Sequence, residues 1–176
     1  LAVAEQLPVS EELSLDLALV PSLEADALGR LADSAGWQQS GDRLIHRDGA
    51  TIHVRRDAFQ ALLQSSDLLI CMAGTAAEQA VGLGRPVLQL PGRGPQFTAA
   101  FAEAQRRLLG PTVFCAPGDA GSLGNLQASA QLALQLLERC RSDQQLQRQC
   151  RQEAERRLGA AGGGRRMAAA ISALLS

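Results

Sequence analysis

Lysine and tyrosine are both missing from this sequence of 176 residues, in which all 17 basic residues are arginine. The absence of lysine excludes a Walker-type phosphate-binding lysine and a Schiff-base lysine from these residues. The absence of tyrosine excludes a tyrosine general acid. Aromatic residues make up only 3% of the chain, too few for an aromatic-studded basic sheet that binds RNA. Nucleic acid is therefore not an expected partner.

Cysteine and histidine are sparse and widely spaced. The four cysteines, Cys71, Cys115, Cys140 and Cys150, form no C-x-x-C pair, and only His46 and His53 accompany them. This spacing predicts neither a metal site nor a disulfide scaffold. Cys71 and Cys115 lie in apolar, strand-like stretches, where we expect buried, reduced thiols. A reducing, cytoplasmic location fits this pattern best.

Long hydrophobic runs are missing as well, and the charges are unevenly distributed. No apolar run reaches 18 residues, and the first eight residues lack the basic start of a cleavable signal. Residues 1–35 are strongly acidic, whereas residues 138–166 contain eight arginines against four acids. These C-terminal arginines fit either solvated helix faces or a peripheral contact with phosphates or the anionic inner membrane.

Short apolar runs alternate with longer helix-like segments, which predicts an α/β domain with a Rossmann-like parallel sheet flanked by helices. Trp37 is expected to anchor the end of the first helix, and Asp48-Gly49 predicts a hairpin turn. A single domain is expected over residues 1–176, with C-terminal helices over residues 122–176. The expected strands are residues 15–20, 43–47, 51–55, 67–71, 87–90 and 113–115, and helices are expected at 1–7, 22–35, 57–65, 75–83, 97–109, twice within 122–158, and at 165–175.

One strand-to-helix junction has the composition of an anion site, D-L-L-I-C-M-A-G-T-A-A-E over residues 67–78. Gly74 permits an unusual backbone angle and the close approach of a ligand. Thr75 and Ala76 then begin a helix whose unpaired amides and dipole suit a diphosphate, and Glu78 is positioned for a ribose diol. The alternative is a capping box, in which Thr75 and Glu78 satisfy the helix's own N–H groups.

The run A-G-T-A-A-E-Q-A-V-G-L-G-R-P-V-L-Q-L-P-G, residues 73–92, resembles the donor-binding motif of GT-B glycosyltransferases. It is nearest to lipid A disaccharide synthase and similar to the peptidoglycan N-acetylglucosaminyltransferase. Residues 92–110 resemble a bacterial family described as related to lipid A disaccharide synthase. The resemblance is specific over about residues 66–115 and only general elsewhere.

The resemblance implies the C-terminal, donor-binding half of a GT-B fold and an inverting transfer from a nucleoside-diphosphate sugar, expected to be a uridine one. Gly74 and Thr75 match the segment facing the diphosphate, and Glu78 matches the ribose glutamate. Gln96 falls where the relatives supply amides to the donor sugar, with Gln105 a weaker candidate that also fits a surface residue. Arg93 fits a phosphate contact or a solvated side chain.

The same resemblance implies that the first strand and the acceptor domain of the fold precede Leu1, so these residues are expected to be a fragment without turnover. No catalytic residue, cofactor or metal is predicted within them, and the acceptor is expected to be a sugar, such as a lipid-linked one. Two alternatives remain open: a sugar-nucleotide epimerase of the same fold, and a non-catalytic binding or assembly domain. The triplet His46-Arg47-Asp48 spells a kinase motif, but no other kinase motif accompanies it.

Overall fold

The structure, a computed structural model, describes residues 1–72, 74–90, 92 and 98–175. Strands and helices alternate along these residues, after a short 3-10 helix at Ala4–Gln6. The strands are β1 (Asp16–Leu19), β2 (Trp37–Ser40), β3 (Arg43–His46), β4 (Thr51–Arg56), β5 (Leu69–Cys71), β6 (Val87–Gln89) and β7 (Val113–Cys115). The helices are α1 (Ala25–Ser34), α2 (Phe59–Ser65), α3 (Gly74–Gly82), α4 (Ala99–Leu109), α5 (Leu123–Ser142), α6 (Gln144–Leu158) and α7 (Gly163–Leu175).

The described strands form two sheets rather than one parallel sheet. The first has the order β1-β4-β3-β2; β1 is parallel to β4, whereas β2, β3 and β4 pair antiparallel. The second is fully parallel, with the order β5-β6-β7. The tight turn at Asp48-Gly49, where Gly49 has a φ of 90°, reverses the chain between β3 and β4 and imposes the antiparallel pairing. The chain is thus an α/β protein in which the parallel sheet is flanked by helices.

Trp37 begins β2 instead of ending a helix, so that expectation was wrong. Its side chain is fully buried, and its indole Nε1 donates a hydrogen bond to Glu5 Oε1 at 3.0 Å. Its ring centroid lies 5.1 Å from that of His46, its partner residue on β3. The indole therefore joins the N-terminal 3-10 helix to the four-stranded sheet and satisfies its own N–H group.

Helices cover both faces of the parallel sheet. Val87 belongs to an apolar cluster with residues of α3 and α4, whereas Leu88, the next residue of β6, belongs to a cluster with residues of α5. Successive strand residues point to opposite faces, so α3 and α4 lie on one side of β6 and α5 on the other. On the first side, α6 packs against α3 and α4.

The C-terminal helix α7 differs from the others because it contributes no buried side chain to the described part of the chain. Residues 159–175 are all exposed, including the large apolar side chains of Met167, Ile171, Leu174 and Leu175. Arg166, near the start of the helix, donates hydrogen bonds to the carbonyl oxygens of Ala160 and Ala161, each at 2.8 Å. Across residues 1–72, 74–90, 92 and 98–175, every helix is too short or too polar to cross a membrane.

Candidate functional site

The carboxyl ends of β5, β6 and β7 meet at one edge of the parallel sheet. Cys71, Gln89 and Cys115 are the last residues of these strands and lie in register across the sheet. The helix α3 begins at Gly74, only three residues after the end of β5. In parallel α/β sheets, ligands bind at this edge, where helices begin.

The first turn of α3 places Gly74, Thr75 and Ala76 at that edge. The first N–H groups of a helix have no intrahelical partner, and the helix dipole makes them favourable for an anion. Thr75 is the second residue of the described helix α3. The capping box formed by Thr75 and Glu78 stays the alternative to an anion site at these N–H groups.

Gly74 lies next to a side chain from the neighbouring helix. A Cβ atom at Gly74 would lie 3.4 Å from both Nε2 and Oε1 of Gln105, on α4. The carboxamide of Gln105 therefore lies directly against the first turn of α3. Its Oε1 is buried and has no hydrogen-bond partner among the described residues. Gln105 is half-buried, so it is only partly a surface residue, and a methyl group at position 74 would make ordinary van der Waals contact with it.

Gln89 places a second carboxamide on the same side of the sheet. It follows Val87 by two residues, so its side chain points to the face that carries α3 and α4. Only 3% of the residue is exposed. Neither its Nε2 nor its Oε1 has a hydrogen-bond partner among the described residues. This residue was not predicted as part of a site, although a glutamine within the apolar strand V-L-Q-L is the pattern that could have revealed it.

Glu78 is exposed and follows Gly74 by four residues, so the two lie on the same face of α3. Thr75 is also exposed, Ala76 is half-buried, and Ala77 is completely buried in the core. The helix thus presents Glu78 to solvent one turn after the candidate anion site. Gln96 and Arg93, the other predicted contacts, lie outside the described residues.

Charged groups on α4 lie on its exposed surface. Glu103 accepts hydrogen bonds from Arg106 at 2.7 Å and from Arg107 at 3.0 Å, and these two partners lower the pKa of Glu103 to about 2. Glu103 is therefore a carboxylate at neutral pH and partly neutralises the two arginines. The described residues contain no group of three or more His, Cys, Asp or Glu side chains placed to hold a metal ion.

The cysteine at the end of β7 differs from its prediction. Cys115 is exposed instead of buried, at the end of β7, an end strand of its sheet. Its thiol donates to the carbonyl oxygen of Ala116 at 3.6 Å, and partial burial raises its pKa. Cys71 is half-buried. A raised thiol pKa disfavours the thiolate, so Cys115 is a poor nucleophile.

A groove of about 430 Å³ lies elsewhere on the chain. Leu7, Glu11, Ser14, Thr51 and His53 are among its lining residues. Residues 13–15 precede β1, and Thr51 begins β4, so the groove lies at the amino ends of these parallel strands. It is thus at the opposite end from the edge where such sheets bind their ligands.

Comparison with known proteins gave no match among family models, curated proteins or solved structures. The resemblance of residues 73–92 to the GT-B donor motif therefore stays a prediction. The candidate site rests on the geometry of α3, Gln89 and Gln105.

Proposed function

We propose that this chain binds a nucleoside-diphosphate sugar, with the diphosphate at the N-terminus of α3. The observation that carries the proposal is the position of that N-terminus, at the carboxyl end of a parallel strand, with Gly74 in its first turn. Backbone N–H groups and the positive end of the helix dipole bind phosphate oxygens without lysine, which this chain does not contain.

The remaining contacts follow from the resemblance and from exposure. Glu78, exposed on the same face of α3 as Gly74, accepts hydrogen bonds from the ribose hydroxyls of a uridine nucleotide. Gln96 belongs to the segment that contacts the donor sugar in the enzymes that this chain resembles. All of these proposed contacts are with the donor, so we assign donor binding, and not acceptor binding, to these residues.

The reaction that we propose for the whole protein is an inverting glycosyl transfer. An acceptor hydroxyl attacks the anomeric carbon of the sugar, the bond from that carbon to the diphosphate oxygen breaks, and a base takes the hydroxyl proton. The amides of Gly74, Thr75 and Ala76 stabilise the negative charge that develops on the departing diphosphate. In lipid A disaccharide synthase, which the chain resembles, the base belongs to the N-terminal domain.

An epimerase of the same fold is less well supported. That reaction requires carboxylates and a histidine around the sugar, whereas the described part of the edge at β5, β6 and β7 presents Cys71, Gln89 and Cys115. His46 and His53 both lie in the four-stranded sheet. The second alternative is a non-catalytic domain with the same nucleotide site. Such a domain would bind the nucleotide as a transferase does, and only a measurement of turnover would distinguish the two.

Binding of uridine diphosphate tests the proposal. At a ligand concentration of about 100 times Kd, binding stabilises the folded state by about 2.7 kcal/mol, which raises Tm by roughly 5–10 °C for a chain of this size. We expect this rise with uridine diphosphate and its sugars. Guanosine diphosphate serves as the control for nucleotide selectivity.

Glu78→Ala tests the ribose contact. Loss of a charge-assisted hydrogen bond pair is expected to weaken uridine diphosphate binding by about 10- to 100-fold, measured by isothermal titration calorimetry. Gln79→Ala, at an exposed neighbouring position on α3, is the matched control and should bind like the wild type. If the Glu78→Ala protein binds as tightly as the wild type, Glu78 has no ribose role; if the folded wild type binds no nucleoside diphosphate, the function itself is contradicted.

A further inference from the structure

Two carboxamides without partners lie on the α3 side of the parallel sheet, at the edge where the diphosphate is proposed to bind. Gln89 is the last residue of β6, and both of its side-chain polar atoms are buried and unpaired among the described residues. Gln105 reaches the first turn of α3 from α4, and its Oε1 is buried and unpaired in the same sense. Buried amides without partners are rare and destabilising, and a bound ligand is one physical reason to retain them.

The unpaired atoms indicate which part of a ligand these side chains contact. Gln89 has both an unpaired Oε1 and an unpaired Nε2, so it needs a donor and an acceptor whichever way its carboxamide is oriented, and Gln105 has an unpaired atom beside α3. A diphosphate at neutral pH offers acceptors almost exclusively, so it can satisfy the NH₂ group of Gln89 but not its carbonyl oxygen. A hydroxyl group both donates and accepts, and neighbouring hydroxyls match the paired C=O and NH₂ groups of a carboxamide.

We infer that Gln89 and Gln105 bind hydroxyl groups of the transferred sugar, next to the diphosphate on α3. This inference rests on the proposed function, and it assigns the sugar contacts to two residues of the described chain. The α3 amides bind the anion, Glu78 binds the ribose, and the two carboxamides distinguish a sugar nucleotide from the bare nucleotide. Gln89 and Gln105 are therefore specificity residues for the glycosyl group.

Gln89→Met and Gln105→Met test the assignment, because methionine keeps a similar length and volume and removes the hydrogen-bonding groups. Dissociation constants of the full chain are measured by calorimetry for uridine diphosphate, UDP-glucose and UDP-N-acetylglucosamine. For each sugar nucleotide that binds more tightly than uridine diphosphate, either variant should weaken binding by about tenfold or more, as expected for a lost hydrogen bond. The same variants should leave the Kd of uridine diphosphate within about twofold. Gln79→Met, on the exposed face of α3, is the matched control.

The outcomes separate the two proposals. Equal weakening for uridine diphosphate and its sugars would assign the carboxamides to the nucleotide and overturn the inference. Unchanged sugar-nucleotide binding in both variants would overturn it as well, and so would a wild type that binds uridine diphosphate but prefers neither sugar nucleotide. Failure of the wild type to bind uridine diphosphate at all would contradict the proposed function, and the inference would fall with it.

The ligand-free protein provides a second, independent readout. Because Gln89 has two buried polar atoms without partners, an apolar side chain of the same size should leave Tm unchanged or raise it by a few degrees. A fall of several degrees would mean that the carboxamide already has partners within the folded chain. That result would remove the reason for assigning Gln89 to a ligand.

Discussion

Gly74, which has no side chain, lies in the first turn of α3 at the candidate site. A Cβ atom there would make ordinary van der Waals contact with the carboxamide of Gln105, at 3.4 Å. A glycine in the first turn of a helix is expected to lower helix stability slightly compared with alanine. A methyl group at position 74 would therefore fit beside Gln105, and it would occupy space at the proposed ligand site.

Gly74→Ala should weaken nucleotide binding without unfolding the protein. The added methyl group makes an ordinary contact with Gln105, so the fold is kept, and alanine favours the helix by up to about 1 kcal/mol. Uridine diphosphate affinity should fall by roughly tenfold, because the methyl group crowds the anion position. Gly124→Ala, at a helical glycine with open space around its Cβ position, is the control for the general effect of the substitution. Unchanged affinity in Gly74→Ala, measured by calorimetry, would contradict the site.

The cysteines should differ strongly in reactivity. Burial, together with nearby Cys140, raises the pKa of Cys150 to about 11, whereas Cys115 is exposed with a smaller increase in pKa. At pH 8 only about one thousandth of Cys150 is thiolate. We expect iodoacetamide to modify Cys115 first and Cys150 last, with rates followed by mass spectrometry of peptides. Raising the pH toward 11 should accelerate labelling of Cys150, and equal rates for both thiols in the folded protein at pH 8 would contradict the structure.

Among the elements, those with a strong local pattern were predicted well. The β3–β4 hairpin follows from Asp48-Gly49, the helices α5 and α6 lie within the predicted segments, and α3 begins and ends one residue before its predicted segment. The strand β2 was missed because its sequence, W-Q-Q-S, has only one buried side chain, Trp37. Exposed polar residues on an end strand give no hydrophobic alternation, so local pattern cannot reveal the strand.

The sheet arrangement was harder to predict than its strands. The apolar run that contains β5 predicts a strand buried on both faces, yet its three residues are only half-buried because β5 is an end strand. Whether a strand has one neighbour or two depends on the packing of distant segments. The sequence pattern therefore predicts parallel strands without predicting their division between two sheets.

The start of α5 is fixed by a buried side chain. Asn125 is 2% exposed, and its Nδ2 donates to the carbonyl oxygens of Ala116 at 3.3 Å and of Pro117 at 2.9 Å. These contacts join α5 to the segment after β7 and satisfy two carbonyl groups.

Asn125→Ala should destabilise the protein by about 1–3 kcal/mol, because it leaves those carbonyl groups without a donor. The corresponding fall in Tm is roughly 2–12 °C, measured by circular dichroism. Gln127→Ala, at an exposed position of the same helix, should leave Tm within about 1 °C of the wild type. Similar Tm values for Asn125→Ala and this control would show that the two hydrogen bonds are unimportant for stability.

The candidate site combines segments that lie apart in the sequence. The junction between β5 and α3 was predicted from local composition. Its resemblance to the GT-B donor motif indicated which ligand to expect there. Gln105 was only a weaker candidate from the resemblance and Gln89 was not predicted, since both contributions depend on how β6 and α4 pack beside α3. A glutamine on a helix face has no local pattern that reports such a contact.

The last helix is a second feature of the whole molecule, because α7 buries none of its side chains. A chain that ends at Gly162 should therefore keep the Tm of residues 1–176 within about 2 °C, as only exposed positions are lost. Thermal unfolding followed by circular dichroism measures the difference, and a larger fall would mean that α7 packs on the rest of the chain. The contact of C-terminal arginines with an anionic membrane stays a prediction.

Nucleoside diphosphate binding at the N-terminus of α3 can be located by NMR titration of the backbone amides in a chain of 18.5 kDa. With uridine diphosphate we expect saturable shifts of the Gly74, Thr75 and Ala76 amides. With a UDP-sugar the side-chain NH₂ signals of Gln89 and Gln105 should shift as well. Shifts confined to the groove near Glu11 and His53, or no shifts in a folded protein, would contradict the account.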